Sequence, residues 1–195
     1  MYKVEWEKSY SSNSFENKNE YPSEEVISFI MRNYGSVKDR SKINVLEVGC
    51  GWGNNLNFFK HKGFSYTGID FSSTAVEHCL INHKNVFCCS MHDMPFQTNT
   101  FDVVVDRMAI QHNPIEIIKE TFEEVRRVLK KSGSLFSILI DECSTNKYSF
   151  KTTYLNQNKI KEFTKAYSDI SLDYQIRSTN SGKNFSRVNI LTAQK

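Results

Sequence analysis

Apolar residues along this chain fall into two alternating patterns. Short, nearly continuous apolar runs at 43–48, 65–70, 86–89, 101–106 and 135–140 read as buried strands. Between them lie segments with apolar residues at helical spacing. Val26, Ile27, Phe29 and Ile30 line one such helix, opened by Pro22 and closed by Gly35. A second runs 54–62 and stops at Gly63. A third, capped by Ser72 or Ser73, runs to about Lys84. Pro114 takes the first position of a fourth, whose face carries Ile117, Ile118, Phe122, Val125, Val128 and Leu129. Strands that are apolar on both sides, alternating with helices, predict an α/β fold with a parallel sheet covered on both faces. After a last helix at 156–167, strands at 170–177 and 185–194 flank a turn at Ser181-Gly182-Lys183 and predict a hairpin.

This pattern makes 21–195 one compact domain and sets residues 1–20 apart. The leader is polar, with Trp6, Tyr10 and Phe15 irregularly spaced. Disorder is the plain reading of that polarity. Trp and Tyr are rare where chains stay disordered, however, which favours a lid that folds over a site. The 195 residues suffice for a sizeable core. A net charge of +3 is too mild to argue for a nucleic-acid partner, and no basic tract appears. No segment approaches the ~18 apolar residues of a membrane span, and the N-terminus lacks an apolar signal core. The five cysteines (Cys50, Cys79, Cys88, Cys89, Cys143) show neither C-x-x-C nor zinc spacing. That set fits reduced thiols in a cytoplasmic protein, and no metal is expected.

Chemistry concentrates where the first strand ends, in Val45-Leu46-Glu47-Val48-Gly49-Cys50-Gly51-Trp52-Gly53-Asn54-Asn55. Glycines at alternate positions let backbone turn sharply and approach a ligand with no Cβ in the way. The helix start beyond them offers unpaired N–H groups. Glu47 would repel a pyrophosphate and attract an ammonium group, which distinguishes the run from a G-x-G-x-x-G dinucleotide fingerprint. The next strand ends in Asp70, 21 residues beyond Gly49. An acid at that distance accepts both hydroxyls of a ribose. The competing role is to cap the next helix beside Ser72 and Ser73.

The glycine run resembles the first motif of the class I S-adenosylmethionine-dependent methyltransferases, (E/D)-x-G-x-G-x-G, which Glu47, Gly49, Gly51 and Gly53 match in full. The resemblance covers about residues 24–195. It implies a Rossmann-like, doubly wound, seven-stranded and mostly parallel sheet with an antiparallel C-terminal strand. S-adenosyl-L-methionine is the implied cofactor and S-adenosyl-L-homocysteine the product. Glu47, Gly49, Cys50, Gly51 and Gly53 would hold its methionine end, and Asp70 and Phe71 its ribose.

Residues 89–96, followed by Phe101-Asp102-Val103-Val104-Val105, resemble the family's third and fourth motifs. Ser90 stands where the family carries an acid for the adenine amino group, flanked by Met91, a candidate to pack on adenine, and by His92. Strand four ends in Asp106-Arg107-Met108-Ala109-Ile110-Gln111-His112, and ligands of open α/β sheets bind beyond such ends. His112 lies where many small-molecule methyltransferases of this class carry a histidine. It is the candidate base, with a purely loop-bracing role as the alternative. Asp106 is a second catalytic candidate or a ligand for cofactor or substrate, and Arg107 suits an anionic acceptor.

Tyr10 and Tyr21 are expected to help enclose the substrate, Tyr21 also serving as a staple for the helix after it. Tyr148, with Phe150 and Tyr154, is expected to wall the acceptor pocket. Asn113-Pro114-Ile115-Glu116 lacks the Pro-Pro-aromatic motif of amino-methylating DNA enzymes. No paired-glutamate hairpin marks a protein arginine methyltransferase, and too few acids gather for a catechol-type metal site. The resulting expectation is a small-molecule acceptor: a hydroxyl on a sugar- or phosphate-bearing precursor of surface-polysaccharide or related biosynthesis, with Arg107 or Arg177 meeting the phosphate. An RNA methyltransferase and a non-catalytic cofactor-binding protein remain the alternatives.

Overall fold

Seven strands form one sheet in the order β3-β2-β1-β4-β5-β7-β6 in the computed structural model. The structure describes residues 2–12, 21–145, 151–179 and 184–195, with the side chains of 2, 3, 177–179 and 184 left aside. β1 (Asn44–Val48), β2 (Ser65–Asp70), β3 (Val86–Cys88), β4 (Phe101–Arg107) and β5 (Leu129–Ile140) pair in parallel. β7 (Asn184–Gln194) joins β5 antiparallel and carries β6 (Ser168–Thr179) at the edge. This is the expected seven-stranded, mostly parallel sheet. Strand order reverses between β1 and β4, which opens a crevice at their carboxyl ends.

Alternation along the strands divides the core. Leu46, Val48, Val104, Leu135 and Leu139 face one side with α5 (Ile115–Val128) and α6 (Gln157–Phe163). Val45, Val103, Val105, Phe136 and Ile138 face the other, under α2 (Glu24–Tyr34), α3 (Asn54–His61) and α4 (Ser73–Leu80). Glu47, two residues from Val45, is therefore on the α3 side, and Asp106, two residues from Val104, is on the α5 side.

The elements depart from the sequence expectations at their ends. β5 begins at Leu129, six residues early, because the polar run Lys130-Lys131-Ser132-Gly133 continues the strand instead of looping. Leu129 pairs with Phe101, a register shift absorbs the extra residues, and Lys130 Nζ meets Asp102 Oδ2 at 2.8 Å. α4 ends at Leu80, where His83 N–H already turns back to the Cys79 carbonyl. α2 starts after Ser23, not at Pro22, and Pro114 precedes α5 instead of opening it. α6 stops at Phe163 because Thr164 and Tyr167 form a turn, with Tyr167 N–H donating to the Thr164 carbonyl. The expected hairpin turn at 181–183 lies outside the described residues. Among the described residues no helix is long and apolar enough to cross a membrane.

The leader contains a helix, α1 (Tyr2–Ser11), which packs on α4. Trp6 and Tyr10, four residues apart, share one helix face and both point at the crevice side of the sheet. Phe15 lies outside the described residues.

Candidate active site

The crevice between β1 and β4 is built from backbone geometry first. Gly49, Gly51 and Gly53 all have positive φ (68°, 51° and 78°), a region costly for residues with a Cβ. A Cβ on Gly49 would collide with that of Ala109, and Met91 Cε would lie 3.8 Å away. The loop is pinned to β2: Cys50 N–H donates to the Ile69 carbonyl (2.9 Å) and Gly51 N–H to Asp70 Oδ2 (2.9 Å).

Asp70 is buried at the end of β2, where its other oxygen accepts from Ser72 N–H (2.9 Å). Burial raises its pKa, against backbone bonds that lower it. Capping of α4 falls to Ser72, whose hydroxyl accepts from Ala75 N–H at 3.1 Å. A carboxylate has about four acceptor directions, so two backbone bonds leave capacity for hydroxyls. Glu47 is buried on β1 with Oε1 accepting from Asn55 Nδ2 at 2.6 Å, while Oε2 has no hydrogen-bond partner. Burial pushes its pKa up to about 8. A cation at Oε2 would favour the carboxylate form.

His112 ends the 3₁₀ turn Ile110–His112 after β4 and is 8% exposed. Its Nδ1 lies 3.0 Å from the Lys151 carbonyl and 3.2 Å from Thr152 Oγ1. A carbonyl only accepts, so Nδ1 carries the hydrogen and Nε2 keeps its lone pair. Burial lowers its pKa, which keeps the ring neutral and basic at pH 7. Trp6 packs edge-on against it, with ring centroids 4.8 Å apart.

α1 roofs this region. The Tyr10 hydroxyl lies 2.9 Å from where a Cβ on Gly51 would stand, and its ring meets Trp52 at 5.1 Å between centroids. Burial, with Asp70 adding its charge, raises the Tyr10 pKa. Glu7 accepts from Thr74 Oγ1 (2.6 Å) and Ser73 Oγ (3.3 Å), which fastens α1 to the first turn of α4 and lowers the Glu7 pKa.

Several residues singled out from sequence have other positions. Asp106 is fully buried. Its Oδ1 accepts from Ala109 N–H (2.8 Å) and Ile110 N–H (3.1 Å), and its Oδ2 from Ser137 Oγ (2.5 Å). With its pKa pushed up to about 6 by burial, it braces the β4 exit, and its oxygens are not open to substrate. Tyr21 is 78% exposed, too much for a hydrophobic staple. Arg107 is exposed and heads a groove against Pro22, Ser23 and Phe29 of the α2 region, away from the His112 contacts.

Ser90 is half-buried, its carbonyl accepting from Asp93 N–H, and His92 is directed to the charge of Glu124 on α5. Met91 is buried beside Gly49. Phe71 is half-buried, with its carbonyl taking the Cys88 thiol. Tyr148, Phe150 and the Arg177 side chain lie outside the described residues. The sequence reading missed Asn55, Trp52 and Cys79. Cys79 donates its thiol to the Gly51 carbonyl at 3.1 Å from behind the loop. Only Asn55, one turn past the motif, carried a readable signal, as a polar residue on an apolar helix face.

Residues 45–133, from β1 to the start of β5, match the methyltransferase domain family. The chain carries a class I methyltransferase domain. An uncharacterized protein of Methanocaldococcus jannaschii is 27% identical over 80% of this chain and 64% of its own length. Phosphoethanolamine N-methyltransferase of Plasmodium falciparum is 29% identical over 65% of the chain and 50% of its own length. The chain thus spans about half to two-thirds of these relatives. The fold resembles that of 1,6-didemethyltoxoflavin-N1-methyltransferase of Burkholderia thailandensis, solved with S-adenosylhomocysteine, at TM-score 0.74 and 14% identity over 99% of this chain and 86% of that one. S-adenosylmethionine is the cofactor of this class, and the methyltransferase domain fits it. Glu47 Oε2 is buried without a partner, the glycine backbone is bare of Cβ atoms, and Asp70 closes β2 beside it.

Proposed function

We propose that the chain transfers a methyl group from S-adenosylmethionine to a small-molecule acceptor, with His112 as the base. The observation that carries this reading is the fixed tautomer of His112: Nδ1 is committed to Lys151, which leaves Nε2 to take a proton at the end of β4. When bound, the cofactor supplies a sulfonium methyl group that needs no further activation. The protein's work is then placement, exclusion of water and proton removal. Glu47, the glycine loop, Asp70 and Met91 hold the cofactor, and Ser90 takes the place of the usual adenine acid.

The acceptor is a hydroxyl on a sugar- or phosphate-bearing precursor, with exposed Arg107 meeting the anionic part. The phosphoethanolamine-methylating relative supports a phosphate-bearing acceptor and makes an amine the competing outcome. A panel of sugar nucleotides, phosphorylated alcohols and phosphorylated amines, incubated with S-adenosylmethionine and separated by chromatography, tests this. Methylation of amines or RNA alone would overturn the hydroxyl assignment.

α1 is the lid over this site. Its rings meet His112 and Trp52 on either side of the glycine loop, so removing Trp6 breaks its hold over the base. An aromatic pair adds ~0.5–1.5 kcal/mol beyond its area, and Trp6 makes two, counting Tyr10 at 5.9 Å. Trp6→Ala is expected to release S-adenosylhomocysteine about tenfold faster in stopped-flow fluorescence of Trp52. An unchanged release rate would remove the lid role.

A further inference from the structure

Asn55 ties the glycine-loop acid to a second helix. It lies in the first turn of α3, 5% exposed, and makes two hydrogen bonds of opposite sense. Its Oδ1 accepts from Ser23 N–H at 2.8 Å, at the N-cap of α2, and its Nδ2 donates to Glu47 Oε1 at 2.6 Å. The backbone N–H of Ser23 can only donate, so the amide has one workable orientation. That orientation always presents a donor to Glu47. The carboxylate is thereby held through Oε1 alone, with Oε2 buried and bare. A buried acceptor without a donor is costly, and such an atom marks where a donor from outside completes the site.

We propose that Asn55 is a positioning residue for recognition of the cofactor's amino group, fixing Glu47 through Oε1 so that Oε2 receives the ammonium. This rests on the methyltransferase reading above. The motif glycines shape the loop but do not orient the acid; Asn55 does, and it takes its own orientation from the start of α2.

The test separates ligands by whether they carry the amino group. S-adenosylhomocysteine has it; 5′-methylthioadenosine shares the nucleoside and the sulfur but lacks the amino acid. Asn55→Asp keeps the acceptor for Ser23 N–H and loses the donor to Glu47, and Asn55→Ala loses both. Calorimetric titration of the full chain is expected to show S-adenosylhomocysteine binding about 10- to 100-fold weaker in both variants, the range of a hydrogen bond to a charged group. Binding of 5′-methylthioadenosine is expected to stay within about twofold by the same argument. Adding Glu47→Gln to Asn55→Ala is expected to cost little more, because the two act on one interaction. Equal losses for both ligands would reduce Asn55 to a structural residue and overturn the proposal, as would an unchanged affinity for S-adenosylhomocysteine. If the unsubstituted protein bound neither ligand, the methyltransferase reading itself would fail.

Discussion

Gly49→Ala is expected to destabilise the protein by about 2–5 kcal/mol and to abolish S-adenosylhomocysteine binding. Two costs add. The residue has φ of 68°, and a side chain there costs about 1–2 kcal/mol. The new Cβ also collides with that of Ala109, and overpacking of this kind costs about 1–3 kcal/mol. Ala109 cannot retreat easily, since its N–H is held by Asp106 Oδ1 at 2.8 Å in a fully buried turn. Strain relief must therefore come from the glycine loop, which carries the cofactor site. Gly63→Ala is the matched control: φ is 79° and nothing lies within 4 Å of its Cβ, so only the backbone cost applies. Thermal unfolding of both variants checks the difference. Equal midpoints would mean that the Gly49–Ala109 approach is not a constraint.

His112→Ala is expected to lower kcat by about 10²- to 10⁴-fold, the range for loss of a positioned general base. Affinity for S-adenosylhomocysteine should stay within about twofold, because the loop, Glu47 and Asp70 are untouched. The pH profile gives a second signature. Burial lowers the His112 pKa from its ordinary 6.5, so the base is neutral above that shifted value and protonated below it. Activity should therefore rise with pH through an apparent pKa below 6.5 and then level, and this limb should vanish in His112→Ala. If kcat is retained with the same acidic limb, His112 only braces the loop through Lys151.

Much of this site was readable before any coordinates. β2 spans the residues its apolar run indicates, and the glycine loop with Glu47 and Asp70 is where the motif put it. These features are written locally: strand periodicity, obligatory glycines and an acid at fixed spacing. What was misread depends on contacts distant in sequence. Asp106 ends a strand, as reactive acids in this fold do, but whether it faces a ligand depends on Ser137, thirty-one residues away. β5 begins at Leu129 because Phe101 and Asp102 wait on β4, a partnership that Lys130-Lys131-Ser132-Gly133 does not announce. α1 is short and its surface mixed, so its order comes from Glu7 on α4 and from aromatic rings it meets across the crevice. Helical propensity alone rarely holds so short a segment.

The most direct measurement is a calorimetric titration of the unsubstituted protein with S-adenosylhomocysteine, with Asp70→Ala alongside. Asp70 secures Gly51 N–H and Ser72 N–H and closes the ribose end of the crevice. Saturable one-to-one binding, weakened about 100-fold or more by the substitution, is the outcome that follows from two stranded backbone donors and lost ribose contacts. No binding to the unsubstituted protein, or equal binding to both, would contradict the assignment of this crevice to S-adenosylmethionine.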